Sequence, residues 1–213
     1  VGRRGVGNTL LRHLFEFTSS LVKTTARPPA AIAKNLVPPP PATFYPPVSR
    51  VVAVGDVHGD IAALRATLRA AALINSSDAW IGGNTTLVQV GDTLDRGDSE
   101  REILDLLFRL QDEAPKAGGG AVHVLLGNHE LMNVEADFRY VTPGGFRDFA
   151  GMMSPAQVKK EIGKVKGSMM EVIKAMPDFM QPRALMFRPG GPISSTLLTR
   201  ASIAIVIGEN VFV

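Results

Sequence analysis

Three short boxes hold most of the residues that could do chemistry. They are Gly55-Asp56-Val57-His58-Gly59-Asp60, Gly91-Asp92-Thr93-Leu94-Asp95-Arg96-Gly97-Asp98 and Gly127-Asn128-His129-Glu130. Five aspartates fall in the first two. Carboxylates gathered at one point repel each other unless cations neutralise them. A bare phosphate site would use backbone amides and lysine, and the chain has no glycine-rich loop ending in Gly-Lys-Ser or Gly-Lys-Thr. The boxes therefore imply bound divalent metal. Asp56 and His58 can grip one ion, Asp92 can bridge two, and Asn128 offers a neutral oxygen to the second. Mixed nitrogen and oxygen ligation suits Mn²⁺ first, with Fe or Zn²⁺ as alternatives, over Ca²⁺.

Two ions about 3.5–4 Å apart can clamp a phosphate ester and acidify a water for attack. The departing alcohol then needs a proton. His129 is next to Asn128 but is not needed as a ligand, so it can act as general acid. Asp95 can hold its other ring nitrogen and fix the tautomer. Arg96 can fork onto phosphate oxygens, with Asn128 beside it. Taken singly, each box has a plain structural reading: a turn with a capping Asp, a helix start with an Asp–Arg pair, a loop before a helix. Taken together and in this order, they favour a metal site.

The elements that must position these boxes are legible as well. Each box follows an apolar run that reads as a buried strand: Arg50–Val54, Thr86–Val90 and Ala121–Leu126. Asp56 to Asp92 is 36 residues, and Asp92 to Asn128 is 36 again, the length of a strand–helix–strand repeat in a parallel sheet. Ligands collect at the carboxyl ends of such strands, so the three loops should meet at one edge. Helices are expected over Ile61–Leu73 and Ser99–Glu113, the second with a Ser99/Glu102 capping box. A further helix should start at Ser154-Pro155 and run along Val158, Ile162, Val165, Met169 and Ile173, with a lysine-rich outer face over a methionine-rich layer. Ser202–Ile207 reads as a fourth strand, and Val211–Val213 as a fifth after a turn. His123, in a strand, reads as structural.

Composition sets the limits. With 213 residues, 45% hydrophobic and 20% charged, the chain has the makings of a globular domain. It has no cysteine, which excludes disulfides, thiolate metal sites and cysteine-nucleophile chemistry. No apolar run is long enough to span a bilayer. The net charge of +3 is uneven. Residues 1–49 hold six Lys/Arg against Glu16, and the rest holds 17 against 19 acids, so the basic balance is not a nucleic-acid footprint. Eight of the 15 prolines also lie in residues 1–49. That stretch reads as a basic, proline-rich leader or linker, either disordered or part of a chloroplast or mitochondrial targeting segment. Without such targeting the chain would be cytoplasmic.

The three boxes resemble those of the calcineurin-like metallophosphoesterases, in their phosphoprotein phosphatase branch. The run Asn128-His129-Glu130-Leu131-Met132-Asn133-Val134-Glu135-Ala136-Asp137-Phe138-Arg139-Tyr140, with Leu94 and Arg188-Pro189-Gly190-Gly191, is similar to the Shewanella-like protein phosphatases. The resemblance covers residues 50–213, loosely at 151–182. It implies an α/β fold, an αββα sandwich of which this chain supplies mainly the N-terminal sheet and its helices. Residues 50–213 would then be the N-terminal part of a metallophosphatase catalytic domain. It also implies two divalent ions held by Asp56, His58, Asp92 and Asn128, an acid pair of Asp95 and His129, Arg96 on phosphate, and a phosphorylated protein as substrate. A nucleotide or other small phosphate is the alternative substrate, and an inactive binding fragment the alternative role. In that family the strand matching Val211–Val213 runs into His-Gly-Gly, whose histidine binds the second metal. The four histidines here lie elsewhere, so weak single-metal binding and slow turnover are expected of these 213 residues.

Overall fold

In a computed structural model, which describes residues 41–213, the elements run in this order. They are β1 (Phe44–Tyr45), β2 (Val51–Val54), α1 (Ile61–Ala70), β3 (Thr86–Gln89), α2 (Glu100–Gly118) and β4 (Ala121–Leu125), followed by α3 (Asn128–Val134), α4 (Pro143–Ala150), α5 (Pro155–Ile162), α6 (Ser168–Ala175), α7 (Gln181–Phe187) and α8 (Pro192–Arg200), then β5 (Ala201–Ser202), β6 (Ile205–Ile207) and β7 (Asn210–Phe212). Strands β2, β3, β4 and β5 pair in that order, all parallel. This is the sheet expected from the repeated spacing. The three boxes follow β2, β3 and β4, so they share its carboxyl edge.

Alternation along the strands builds two apolar layers. Leu87, Val122 and Val124 join Leu64 and Leu68 of α1 and Ile103, Leu107 and Leu110 of α2 in one core. Full burial of each of these leucines and isoleucines contributes about 1.5–3 kcal/mol. The neighbouring residues Val88 and Leu125 face the other way, onto Ile205 and Ile207 of a second sheet ordered β1-β6-β7. The described residues thus supply helix, sheet and sheet layers. A separate core under α4–α7 gathers Phe146, Val158, Ile162, Ile173 and Leu185, with methionines packed around it.

Five local expectations are corrected. Folded chain begins before Arg50: Phe44–Tyr45 pairs in parallel with Val206–Ile207, and Pro46-Pro47, which cannot donate to a ladder, follow directly after that strand ends. Residues 1–40 of the leader lie outside the described residues. Helix α1 stops at Ala70 rather than Leu73, because Ala72 turns left-handed (φ 54°). Ser99 caps α2 without a side-chain hydrogen bond, since Glu102 turns to Arg65 (2.8 Å), and the helix runs through Pro115 to Gly118 before Gly119 ends it at φ 77°. The helix expected from Ser154 to Ile173 is two helices, broken by Gly163–Gly167, with Gly167 at φ 70°. The strand expected over Ser202–Ile207 is split, Ala201–Ser202 in one sheet and Ile205–Ile207 in the other. His123 stays a strand residue, its ring packed against Tyr45 at a tilt of 47° with centroids 4.2 Å apart. Burial lowers the His123 pKa and raises that of Tyr45.

Candidate active site

The loops are locked to one another through backbone. Val57 N and His58 N both donate to Asp92 O (3.0 Å each), and Gly59 N donates to Thr93 O (2.9 Å). Gly97 lies so close to the backbone of Gly59 that a Cβ would collide with it. Gly127 packs on the Asp92 carboxylate in the same way. His58, Asp92, Asp95 and Arg96 all have positive φ, between 48° and 67°. Such residues cost on the order of 1 kcal/mol each and persist where surrounding contacts hold them.

His58 Nδ1 lies 2.9 Å from Leu94 O and donates to it. That tautomer leaves the lone pair on Nε2, which is buried without a hydrogen-bond partner and 3.5 Å from Asp56 Oδ2. A buried acceptor with no donor, facing a carboxylate, fits a cation. His58, Asp92 and His129 each offer a ligand atom, and these atoms lie within 4.8 Å of one another. The Asp92 Oδ1 atom also accepts from His129 N (2.9 Å). Asn128 opens α3 exposed, its amide nitrogen 4.0 Å from Met132 Sδ. No hydrogen bond joins its side chain to the other candidate ligands.

The Asp95–His129 pair is buried. His129 Nδ1 is 2.7 Å from Asp95 Oδ2, with both side chains at most 3% exposed. The other ring nitrogen, Nε2, faces Arg96 Nη2 at 3.4 Å. Arg96 is exposed and lies over the Tyr140 ring (5.5 Å). With His58 and Asp98 it lines an open cleft of about 680 Å³. His129, Asp92 and Asn128 are not among the residues that line this cleft.

Behind this front lie four residues with no role in the reading from sequence. Glu130 accepts from Gly127 N (2.8 Å), Asp92 N (2.9 Å), Thr93 N (2.8 Å) and Thr93 Oγ1 (2.7 Å), so it joins the second and third boxes. Glu100 accepts from Asp95 N (2.5 Å) and takes both terminal nitrogens of Arg183. Burial pushes the Glu100 carboxyl up, against the pull of Arg183. Asn133 Nδ2 donates to Asp95 Oδ1 (3.0 Å) and to His129 O (2.9 Å). Arg183, fully buried, donates from Nε to Asn133 Oδ1 (2.8 Å) and from Nη2 to Asp95 Oδ1 (3.3 Å). Glu130 was open to discovery as part of its box. Arg183 is 88 residues from Asp95 and carries no local signal.

The family model described as calcineurin-like phosphoesterase matches residues 49–179. Shewanella-like protein phosphatase 2 of Arabidopsis thaliana is 38% identical over 192 residues, covering 80% of this chain and 47% of that protein. Shewanella-like protein phosphatase 1 of Plasmodium berghei (strain Anka) is 45% identical over 94 residues, covering 44% of this chain and 26% of that one. The chain therefore spans about half the length of the first relative and about a quarter of the second. Among solved structures, the cold-active protein-tyrosine phosphatase of a psychrophilic Shewanella sp. is 36% identical, with a TM-score of 0.47 over 50% of this chain and 32% of that chain. The sheet edge, the three boxes and the match over most of the folded residues agree: this chain belongs to the calcineurin-like phosphoesterases.

Proposed function

We propose that the chain carries the metal-binding and proton-donating part of a phosphoprotein phosphatase. The observation that supports this most is the buried Asp95–His129 pair, with Nε2 of the ring beside Arg96 and next to the unpartnered Nε2 of His58. Asp56, His58 and Asp92 would hold the first ion, and Asp92 with Asn128 would contribute to the second; Mn²⁺ suits these donors best, Fe or Zn²⁺ next. Bound divalent ions would polarise the ester and acidify an attacking water. Arg96 turns from His129 to the phosphate oxygens. The water oxygen bonds to phosphorus as the ester P–O bond breaks; one of its protons has gone to solvent and the other remains on the phosphate, while His129, protonated on both ring nitrogens, passes its Nε2 proton to the departing oxygen and takes one back from solvent. Asp95 holds the ring's other proton throughout.

Phosphorylated proteins are the proposed substrates, on phosphoserine or phosphothreonine, with phosphotyrosine left open. The phosphatase names of the Arabidopsis and Plasmodium relatives support this class. Among the described residues, no helix is long and apolar enough to cross a membrane. For these 213 residues we propose weak binding of one ion and slow turnover, since the second ion finds two donors, Asp92 and Asn128, among the described residues.

The test combines Mn²⁺ titration with hydrolysis of phosphoserine, phosphotyrosine and nucleotide substrates. H58A should abolish Mn²⁺ binding. H129Q should retain it while lowering hydrolysis about 10²–10⁴-fold, the usual worth of a positioned acid. Loss of Mn²⁺ binding in H129Q would make that histidine a ligand and end the general-acid assignment. Nucleotide hydrolysis outrunning both phosphopeptides would overturn the substrate class.

A further inference from the structure

The acid pair rests on a cation that touches neither substrate nor metal ligand. Arg183 is 0% exposed, and its guanidinium lies among the rings of Phe149, Phe187 and Phe138, at 4.9, 5.0 and 5.8 Å. Burying such a charge is costly, and an apolar side chain of similar volume would fill a ring-lined pocket with less desolvation. What that side chain could not do is hold three partners at once. The fork of Arg183 spans Glu100, Asn133 Oδ1 and Asp95 Oδ1.

The geometry points to Arg183 as a positioning residue for the acid pair, an inference that rests on the phosphatase reading above. By donating Nε to Asn133 Oδ1, Arg183 sets which way the Asn133 amide faces. Nδ2 is thereby turned to Asp95 Oδ1 and His129 O. With that amide reversed, its oxygen would oppose the Asp95 carboxylate. Asp95 Oδ1 is thus occupied by two donors, Asn133 and Arg183, and Oδ2 is left for His129 Nδ1. Glu100 completes the frame by holding Asp95 N and Arg183 together. Arg183 therefore controls where His129 aims Nε2, from behind and through two intermediaries.

The variant R183K keeps the charge and loses the fork. On the 213-residue chain the primary readout is the imidazole N–H resonance of His129 in ¹H–¹⁵N NMR, assigned by its absence in H129Q. In the native chain this proton, held between His129 Nδ1 and Asp95, should be downfield and slow to exchange with water. In R183K it should be lost to exchange, while Mn²⁺ affinity at His58 and Asp92 is unchanged. If R183K does not fold, E100Q/R183M removes both buried charges together, and the same loss is expected. A protected His129 proton in a folded variant overturns the inference. Turnover supplies a second readout. R183K should lower kcat on a phosphoserine peptide by about 10–100-fold, with KM little changed. On p-nitrophenyl phosphate, whose leaving group needs little protonation, it should lower kcat by about threefold at most. Equal losses on both substrates would mean a general structural defect and would count against Arg183. Absent turnover in the native chain would strike at the phosphatase reading instead, and the NMR result would stand by itself.

Discussion

Glu130 offers the sharpest energetic test, because E130Q changes charge and donor pattern while keeping volume. The native carboxylate, 1% exposed, accepts from three backbone N–H groups and one hydroxyl. A glutamine in the same place keeps one acceptor oxygen and puts an NH₂ where the other stood. The less damaging orientation places that NH₂ against Thr93, whose hydroxyl can rotate and accept. Thr93 N–H is then left unpaired and faces another donor. One orphaned buried donor costs about 1–3 kcal/mol, and the charge-assisted character of the remaining bonds is worth roughly a further 1–2 kcal/mol. The sum, about 2–5 kcal/mol, is a large share of the 5–15 kcal/mol typical of a domain. No cavity forms, so the loss is polar in origin. Urea unfolding of both proteins measures it, with equal m-values checking that the transitions are comparable. Because Glu130 holds Asp92 N and Gly127 N, weaker Mn²⁺ binding should accompany the lost stability. A cost below about 1 kcal/mol would refute the view that this carboxylate clamps the second and third boxes together.

Two further predictions concern stability away from the site. Ala72 ends α1 in the left-handed region, with Leu73 N donating to Leu68 O (2.9 Å). A72G should therefore raise stability by about 0.5–1 kcal/mol, and a lower urea midpoint would contradict that strain. Asp78 accepts from Arg65 Nε (2.7 Å) and Arg69 Nη2 (2.6 Å). Burial pushes its carboxyl up, but the two guanidiniums outweigh burial and hold it below the ordinary range. A depressed folded value means stabilisation that is present above the unfolded value of about 4 and is lost as pH falls through the folded one. D78N should cost stability at pH 7 and progressively less below about pH 4. An equal cost at both ends would show that the ion pairs are not its source.

The boxes were legible because their chemistry is local. Asp56 and His58 sit two residues apart, and Asp92 and Asp95 three apart, each set directly after a strand. The 36-residue spacing, with apolar runs before each box, was enough for a parallel sheet and a shared edge. Boundaries were harder. Pro115 and the glycines after it read as a stop, yet α2 continues through them. Ser202–Ile207 has the pattern of one strand, and the partner sheets, not the pattern, divide it.

Sequence alone therefore marked which side chains are candidates to hold metal, carry a proton and bind phosphate. Residue type and short spacing decide those capacities before any long-range contact exists. Tertiary structure decided what supports them. Arg183, Glu100 and Asn133 meet behind Asp95 because α7, the start of α2 and α3 pack around one point, across separations of 50 to 88 residues. A buried ion network depends on three-dimensional coincidence and a low-dielectric surround, and neither is written in the order of residues along the chain.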